Sequence, residues 1–195
     1  MIKLKEITSE DNTFQMYHGG KRWSMLPSEI LGSKQGRYEA GVGIYFTNDY
    51  NTARKYAKGS RVVHRVSIDK NFKEIGDVKL LLSDVTKFLS ELTGLKHRDD
   101  IISSIHNNAA RMQRDFISAD ILNNLIVNYE SGAGSVGIKI SNYLVSKGVD
   151  AKFELQSGDE FWLIVFNPKI LKKVVIVDPK TVNSDFAFTL PNPYL

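Results

Sequence analysis

The first third of the chain consists of short runs in which apolar and polar residues alternate, a pattern typical of strands. Arg61–Ile68 alternates in this way, and Phe14–Tyr17 is a second strand candidate. Ile44–Thr47 is also strand-like, although it does not alternate. Ahead of Arg61–Ile68, Asn48 or Asp49 could cap a helix that begins at Tyr50, because either side chain can accept a hydrogen bond from the first turn. Gly59 predicts that this helix ends at Lys58.

Through the middle of the chain, apolar residues recur every three or four positions, as on one face of a helix. This spacing predicts helices over Val78–Leu92 and over most of 99–129, although Leu80 falls off the first helix face. We therefore expect a helical insert at about residues 77–130, packed on a β-rich body. No Pro- or Ser-rich linker bounds the insert, so residues 1–195 are interpreted as one domain.

The last third of the chain returns to strand patterns after one more helix. Ile138–Lys147 predicts the helix, and Gly148 predicts its end. The predicted strands are Asp150–Leu155, Phe161–Phe166 and Lys173–Val177. The second of these is nearly all apolar, which indicates a central strand buried on both faces.

Composition narrows the class of protein. The chain has 42% apolar and 25% charged residues and a net charge of +4, which is typical of a folded, mildly basic domain. It has no cysteine, which excludes a disulfide framework, a thiolate nucleophile and a zinc site built on sulfur. The four histidines lack metal-ligand spacing, so we expect no metal. With neither an apolar span nor a signal core in the sequence, we expect no membrane partner and a cytoplasmic location, in the producing cell or in a host.

One glycine motif has the spacing of a dinucleotide-binding turn. Gly132, Gly134 and Gly137 form G-x-G-x-x-G, and Glu154 follows near the acidic position of that motif. However, only 58 residues follow Gly137, and Leu125–Tyr129 continues a helical pattern. A break between two helices is therefore the plainer interpretation, and an oxidoreductase with this turn is an alternative.

Three other motifs follow one another on predicted strands and on the helix between them. Tyr17-His-Gly-Gly20 extends the first strand. Gly41-Val-Gly-Ile-Tyr45 leads into the second strand, and Tyr56 lies 11 residues further on, in the predicted helix. Glu160 opens the apolar strand Phe161–Phe166.

This order of motifs resembles the ADP-ribosyltransferase superfamily, in its His-Tyr-Glu branch of diphtheria-toxin-like enzymes and poly(ADP-ribose) polymerases. The resemblance covers about residues 14–68 and 138–178. It implies an α+β fold: a split β-sandwich of two small, mostly antiparallel sheets with a helical insert. It also implies catalytic roles for His18, Tyr45 and Glu160. The implied NAD-binding residues are His18, Gly19, Tyr45 and Tyr56.

The chemistry gives each of these residues a role. Breaking the nicotinamide–ribose bond of NAD passes through an oxocarbenium-like ribose. Tyr45 and Tyr56 would hold the nicotinamide between their rings, and the Gly19 backbone would bond its carboxamide. His18 would bond the adenosine ribose. Glu160 would accept a hydrogen bond from the nicotinamide-ribose 2′-OH and stabilise the developing positive charge.

The chain departs from the family pattern at two positions. Ala53 stands where the polymerases carry a serine, which favours the toxin-like members. Gly158 stands where arginine-specific members carry Gln or Glu, so arginine is a disfavoured acceptor. The diphosphate partner stays open among Lys21, Arg54 and Lys55.

The resemblance therefore implies a mono-ADP-ribosyltransferase that uses NAD as its substrate, of the kind that suits a bacterial or phage effector. A protein is the expected acceptor, with a nucleic acid or a small molecule as alternatives. The region Arg111–Arg114 of the insert is a candidate docking surface for an acidic partner. The alternative function is a catalytically inactive relative that sequesters a nucleotide or a partner protein.

Overall fold

The computed structural model describes residues 12–29, 39–57, 62–156, 158–177 and 190. Within these residues the chain is α+β, with a six-stranded antiparallel sheet, a second sheet of two strands and five α-helices. The strands are β1 (Thr13–Gly20), β2 (Ile44–Thr47), β3 (Val62–Asp69), β4 (Lys79–Leu81), β5 (Phe116–Ser118), β6 (Ala151–Leu155), β7 (Phe161–Val165) and β8 (Leu171–Ile176). The helices are α1 (Tyr50–Tyr56), α2 (Leu82–Glu91), α3 (Arg98–Arg111), α4 (Ala119–Asn128) and α5 (Gly134–Ser146).

The large sheet has the strand order β6-β7-β2-β1-β3-β8 and consists of two three-stranded halves. In one half, β7 pairs with β6 and with every residue of β2. In the other half, β3 pairs with all eight residues of β1, and β8 extends the sheet. Between the halves, the described residues of β1 and β2 pair at Tyr17 and Thr47 alone. The sheet is therefore nearly open at this place, which we call the β1–β2 junction.

The two faces of the sheet cover different cores. On one face, residues of α2 to α5 share a cluster with Val42, Ile164 and Phe166, so the helical insert and α5 together pack on the half-sheet that contains β7. On the other face, Met16 and Leu163 belong to a second cluster that both halves supply. Because apolar burial is the main favourable contribution to folding, the insert is part of the core that supports β7.

The helix predicted from Val78 begins later than its spacing indicated. Lys79–Leu81 form β4, which pairs with β5, and α2 begins at Leu82. Val78 and Leu80 are buried while Leu81 is 52% exposed, so the apolar residues here alternate with the period of a strand. The position of Leu80 off the predicted helix face was a sign of this alternation.

The helical pattern over 99–129 is also interrupted. β5 lies between α3 and α4, and Gln113, with a φ of 52°, lies in the turn that follows α3. The small β4–β5 sheet was not predicted, whereas all six strands of the large sheet were. In place of the two small sheets that the sequence led us to expect, the described residues contain one sheet of two nearly separate halves and this two-stranded addition.

The glycine motif joins two helices. Leu125–Tyr129 does not form a strand, since α4 continues to Asn128, and α5 begins at Gly134. A Cβ at Gly137 would collide with the carbonyl of Gly132, so the motif serves the close packing of this connection. The dinucleotide-binding interpretation of this stretch, with Glu154 as its acidic residue, is therefore wrong.

Helix α1 begins as one of the two capping alternatives predicts. Asp49 is the cap, and its Oδ1 accepts a hydrogen bond from the backbone N–H of Thr52 over 2.7 Å. Tyr50 and Ala53 are buried against Tyr17. The helix ends at Tyr56, and the predicted end at Lys58 lies outside the described residues. Packing of this kind holds α1 beside the β1–β2 junction.

Candidate functional site

The residues that the sequence assigns to a site lie around the β1–β2 junction. His18 and Gly19 belong to the end of β1, beyond its pairing with β2. Tyr45 lies on β2, Tyr56 ends α1, and Glu160 immediately precedes β7. The sheet order places β1, β2 and β7 side by side, and it thereby brings together residues from both ends of the chain.

Two donors hold the Glu160 carboxylate by the same oxygen. The indole N–H of Trp162 donates to Oε1 over 2.9 Å, and the hydroxyl of Thr47 donates to it over 3.1 Å. Within the described part of the chain, no group donates to Oε2. The side chain is part-buried, and the contacts of the described residues fix it by Oε1 alone.

The two predicted tyrosines share one neighbour. The ring centroids of Tyr45 and Trp162 are 6.1 Å apart at an interplanar angle of 76°, and those of Tyr56 and Trp162 are 6.5 Å apart at 89°. The hydroxyl of Tyr45 donates to the carbonyl of Gly41 over 2.7 Å and accepts from the backbone N–H of Ala40 over 3.1 Å. The Tyr45 side chain is thus held by two hydrogen bonds at its hydroxyl, whereas the Tyr56 side chain is 56% exposed.

His18 belongs to a separate aromatic stack. Its Nδ1–H donates to the backbone carbonyl of Tyr45 over 2.9 Å, and its ring stacks on Trp23 at 4.4 Å. Trp23 also stacks on His64 at 4.8 Å, and its backbone N–H donates to Nε2 of His64 over 3.0 Å. The rings of His18 and His64 are themselves 6.0 Å apart, since the two residues pair across β1 and β3, so the indole covers both. Burial lowers the pKa of His18 to about 4, and it lowers the pKa of His64 as well. Both imidazoles are therefore neutral at pH 7.

The site residues lie on both faces of the sheet. Thr47 pairs with Trp162, so their side chains share one face, and Tyr45 joins them because alternate residues of a strand point the same way. Phe46 points to the opposite face, where its ring lies 5.6 Å from that of His18. The structure therefore brings Tyr45, Tyr56 and Glu160 together and separates His18 from them, across the open junction.

Gly19 has a structural role of its own. A Cβ at this position would collide with the backbone carbonyl of Ala53 and would lie 3.0 Å from the backbone nitrogen of Ala57. A glycine is thus required for α1 to lie against β1. Ala53 itself is buried in that contact, so it is a packing residue of α1.

Asn48 is a site residue that the sequence analysis assigned to a different role. Its Oδ1 accepts from the backbone N–H of Phe161 over 2.9 Å, and its Nδ2 donates to the carbonyl of Asp159 over 2.9 Å. The same amide donates to the carbonyl of Leu190 over 3.1 Å. The fully buried Asn48 side chain therefore forms hydrogen bonds with the residues on both sides of Glu160 and holds this segment in place. The sequence offered no signal for this, because an Asn after a strand is most simply read as a helix cap.

Trp162 could have been found from the sequence, and Trp23 could not. Trp162 stands two residues after Glu160 in a strand pattern, which places both side chains on one face. Trp23 meets His18 and His64 through a turn and a cross-strand contact that no local pattern encodes. The candidate diphosphate partners Lys21, Arg54 and Lys55 are all exposed, and Arg54 and Lys55 lie in the last turn of α1 beside Tyr56.

Among the described residues, no three His, Cys, Asp or Glu side chains are grouped as a metal site requires. In the same residues, no helix has the length and apolar character needed to cross a membrane.

Comparison of the chain with models of known protein families, with curated proteins and with solved structures found no match in any of the three.

Proposed function

We propose that the chain transfers ADP-ribose from NAD to an acceptor and releases nicotinamide, with its active site at the β1–β2 junction. The observation that carries this proposal is the Glu160 carboxylate, held by Oε1 beside two tyrosines with Oε2 available. In the reaction, the bond between C1′ of the ribose and the nicotinamide nitrogen breaks, and its electron pair stays on nicotinamide. The acceptor nucleophile then bonds to C1′ and loses its proton.

The arrangement of the site suits an elongated ligand. Nicotinamide would bind on the face that carries Tyr45 and Tyr56, with its ribose at Glu160. The adenosine would reach His18, whose neutral Nε2 is a hydrogen-bond acceptor because Nδ1 carries the proton. Trp23 covers one face of His18, so we expect its indole to stack on the adenine or to be displaced by it.

The split of the sheet supports the same proposal. The two halves of the sheet meet at a single residue pair, Tyr17 with Thr47, and His18 donates to the Tyr45 carbonyl beside this place. We propose that this is the split β-sandwich of an ADP-ribosyltransferase. The fold supplies the rigid carboxylate, and the acceptor approaches from the exposed residues Gly158 and Asp159.

The direct test is release of nicotinamide from NAD, with and without a cell lysate. We expect slow hydrolysis by water alone, and transfer of label from adenosine-labelled NAD to a protein in the lysate. Glu160→Gln should abolish both activities while NAD still raises the melting temperature. Glu91→Gln, at the exposed end of α2, is the matched control and should retain both. Absence of NAD loss, of label transfer and of a thermal shift would refute the proposal.

A second candidate function is supported by the Trp23 stack. Because Trp23 stacks on both His18 and His64 and covers His18, the chain would serve as a binding module that sequesters a nucleotide or a partner protein. This function predicts that NAD or another nucleotide raises the melting temperature without nicotinamide release, and that Glu160→Gln changes nothing. Release of nicotinamide by the wild-type chain would exclude it.

A further inference from the structure

The two hydrogen bonds of Glu160 end on one oxygen, and this is an unusual use of a group with two acceptor atoms. A carboxylate offers about four lone-pair sites on two oxygens. Here Trp162 and Thr47 both donate to Oε1, over 2.9 and 3.1 Å. Rotation of the carboxylate would break both bonds at once, so its orientation is fixed while Oε2 stays available.

We infer that Trp162 and Thr47 are positioning residues, which hold Glu160 by Oε1 and direct Oε2 into the β1–β2 junction. The contact itself is independent of the proposed function, and only its effect on turnover rests on that function. Neither residue needs to touch NAD for this role, because each acts through the carboxylate.

The local chain determines the direction of the Thr47 hydroxyl. Its oxygen accepts a hydrogen bond from the backbone N–H of Asp49 over 3.0 Å, at the start of α1. With that lone pair occupied, the hydroxyl proton is directed to Glu160, and Thr47 is a donor there. Thr47 is also buried, so water does not compete for this proton.

Pairing in the sheet determines the position of Trp162. It lies opposite Thr47 in the pairing of β7 with β2, and two residues after Glu160 along the chain. Both relations place the three side chains on one face. The rings of Tyr45 and Tyr56 lie beside the indole and nearly perpendicular to it. These contacts restrict the rotation of the Trp162 side chain.

The contact can be tested without any substrate, because the chain has only two tryptophans. In a ¹⁵N-labelled protein, Trp162→Phe and Trp23→Phe assign the two indole N–H signals. We expect Glu160→Ala to shift the Trp162 signal and to speed its exchange with water, and to leave the Trp23 signal in place. The matched control is Glu154→Ala, which removes the carboxylate opposite Trp162 on β6 and should leave the exchange rate unchanged.

The kinetic test separates positioning from binding. Trp162→Phe and Thr47→Val each remove one donor, and each should lower kcat for NAD hydrolysis about tenfold with KM unchanged. Thr47→Ser keeps the hydroxyl and should restore the wild-type kcat. Tyr143→Phe, in the helical layer where its ring stacks on Phe88 at 3.9 Å, is the control for a loss of fold.

The outcomes are distinguishable. A Trp162 indole signal whose position and exchange rate are unchanged in Glu160→Ala would overturn the inference. A change in KM alone would also overturn it. If Thr47→Val fails to fold, Trp162→Phe and Thr47→Ser still decide the role. If the wild-type chain releases no nicotinamide, the proposed function fails, while the indole signal still decides whether Trp162 holds Glu160.

Discussion

The two halves of the large sheet are supported differently. In the half β6–β7–β2, every residue of β7 except Trp162 is fully buried, because the helical insert covers one face and the second core covers the other. In the half β1–β3–β8, the second core also covers one face, but the other face is covered by the short helix α1. The outer strand β8 leaves Val175 and Ile176 39% and 44% exposed. One half is therefore a thick, well-packed layer, and the other is thin.

Under the proposed function, this difference would give the two halves separate tasks. Glu160 belongs to the thick half, where Asn48, Thr47 and Trp162 fix it. His18 and Gly19 belong to the thin half, beside the stacked Trp23. The part of a site that stabilises charge gains most from rigidity, whereas the part that admits a ligand must be able to open.

The strongest disruption of the thin half is a methyl group at Gly19. Gly19→Ala would push a Cβ into the Ala53 carbonyl, and a backbone atom cannot move aside as a side chain can. We expect the free energy of unfolding to fall by about 3 kcal/mol or more, measured by urea denaturation. Gly76→Ala is the control, since only the end of the Glu74 side chain is near it, and it should cost less than about 1 kcal/mol. Equal losses in the two variants would contradict the close approach of α1 to β1.

Acid should lower the free energy of unfolding through His18, which lies in the same half. The pKa of His18 falls from 6.5 in the unfolded chain to about 4 in the fold, so the unfolded chain binds the proton first. The contribution of neutral His18 to the free energy of unfolding is fully present above pH 6.5. It is lost as the pH falls to about 4, by at most about 3 kcal/mol. The lowered pKa of His64 acts in the same direction.

Urea denaturation at several pH values between 6.5 and 4.5 measures this loss. In His18→Gln most of the pH dependence over this range should disappear. The control is His106→Gln, an exposed position on α3, which should retain it. A His18→Gln protein as acid-sensitive as the wild type would refute the assignment.

In the thick half, Asn48 is the residue whose loss should cost most. Asn48→Ala leaves a buried N–H of Phe161 and the carbonyls of Asp159 and Leu190 without this partner. We expect a loss of about 2 kcal/mol and a lower kcat, because the segment that carries Glu160 loosens. Asn107→Ala on the exposed side of α3 should change neither. Loss of stability with kcat intact would show that Glu160 is held without Asn48.

Tyr56 offers a cleaner test of ligand binding than Tyr45. Tyr56 is exposed, so Tyr56→Ala should weaken NAD binding about fivefold, or about 1 kcal/mol, with stability unchanged. Tyr45→Ala should also lower stability, because its hydroxyl bonds to Ala40 and Gly41. Calorimetric titration with NAD measures both effects. Unchanged affinity in Tyr56→Ala would remove this ring from the site.

The smallest effect on the site is expected from the insert. Arg111 and Arg114 are exposed, and Arg114 lies over the ring of Phe116 at 5.4 Å. Changing both to Glu should slow labelling of an acidic acceptor, with NAD hydrolysis unchanged, since charges at the edge of an interface act mainly on association. A parallel fall in both rates would mean that the substitutions damage the core beneath β7.

Local patterns predicted the elements of the large sheet, because each strand is marked within its own few residues, by alternation or by a short apolar run. They failed at β4, where three residues lie beside a helix of similar composition and Leu80 alone revealed the change of period. The candidate residues also came from local motifs, and the structure places them around one junction, with His18 on the opposite face of the sheet from Tyr45 and Glu160. Trp23 and Asn48 were missed because their partners are distant in the chain, and only the folded sheet order creates these contacts.

The hydrogen bonds of Asn48 extend beyond the site to a distant part of the chain. Its carbonyl accepts the backbone N–H of Leu190 over 2.8 Å while its amide donates to the Leu190 carbonyl, so one residue joins the start of α1, the segment before β7 and Leu190. A protease that cut the chain between Val177 and Leu190 would turn this clasp from an intramolecular contact into one between two fragments. The high effective concentration of Leu190 would then be lost, and with it part of the force that keeps Glu160 in place. A single cut between Val177 and Leu190 would thus lower the rate of the proposed reaction.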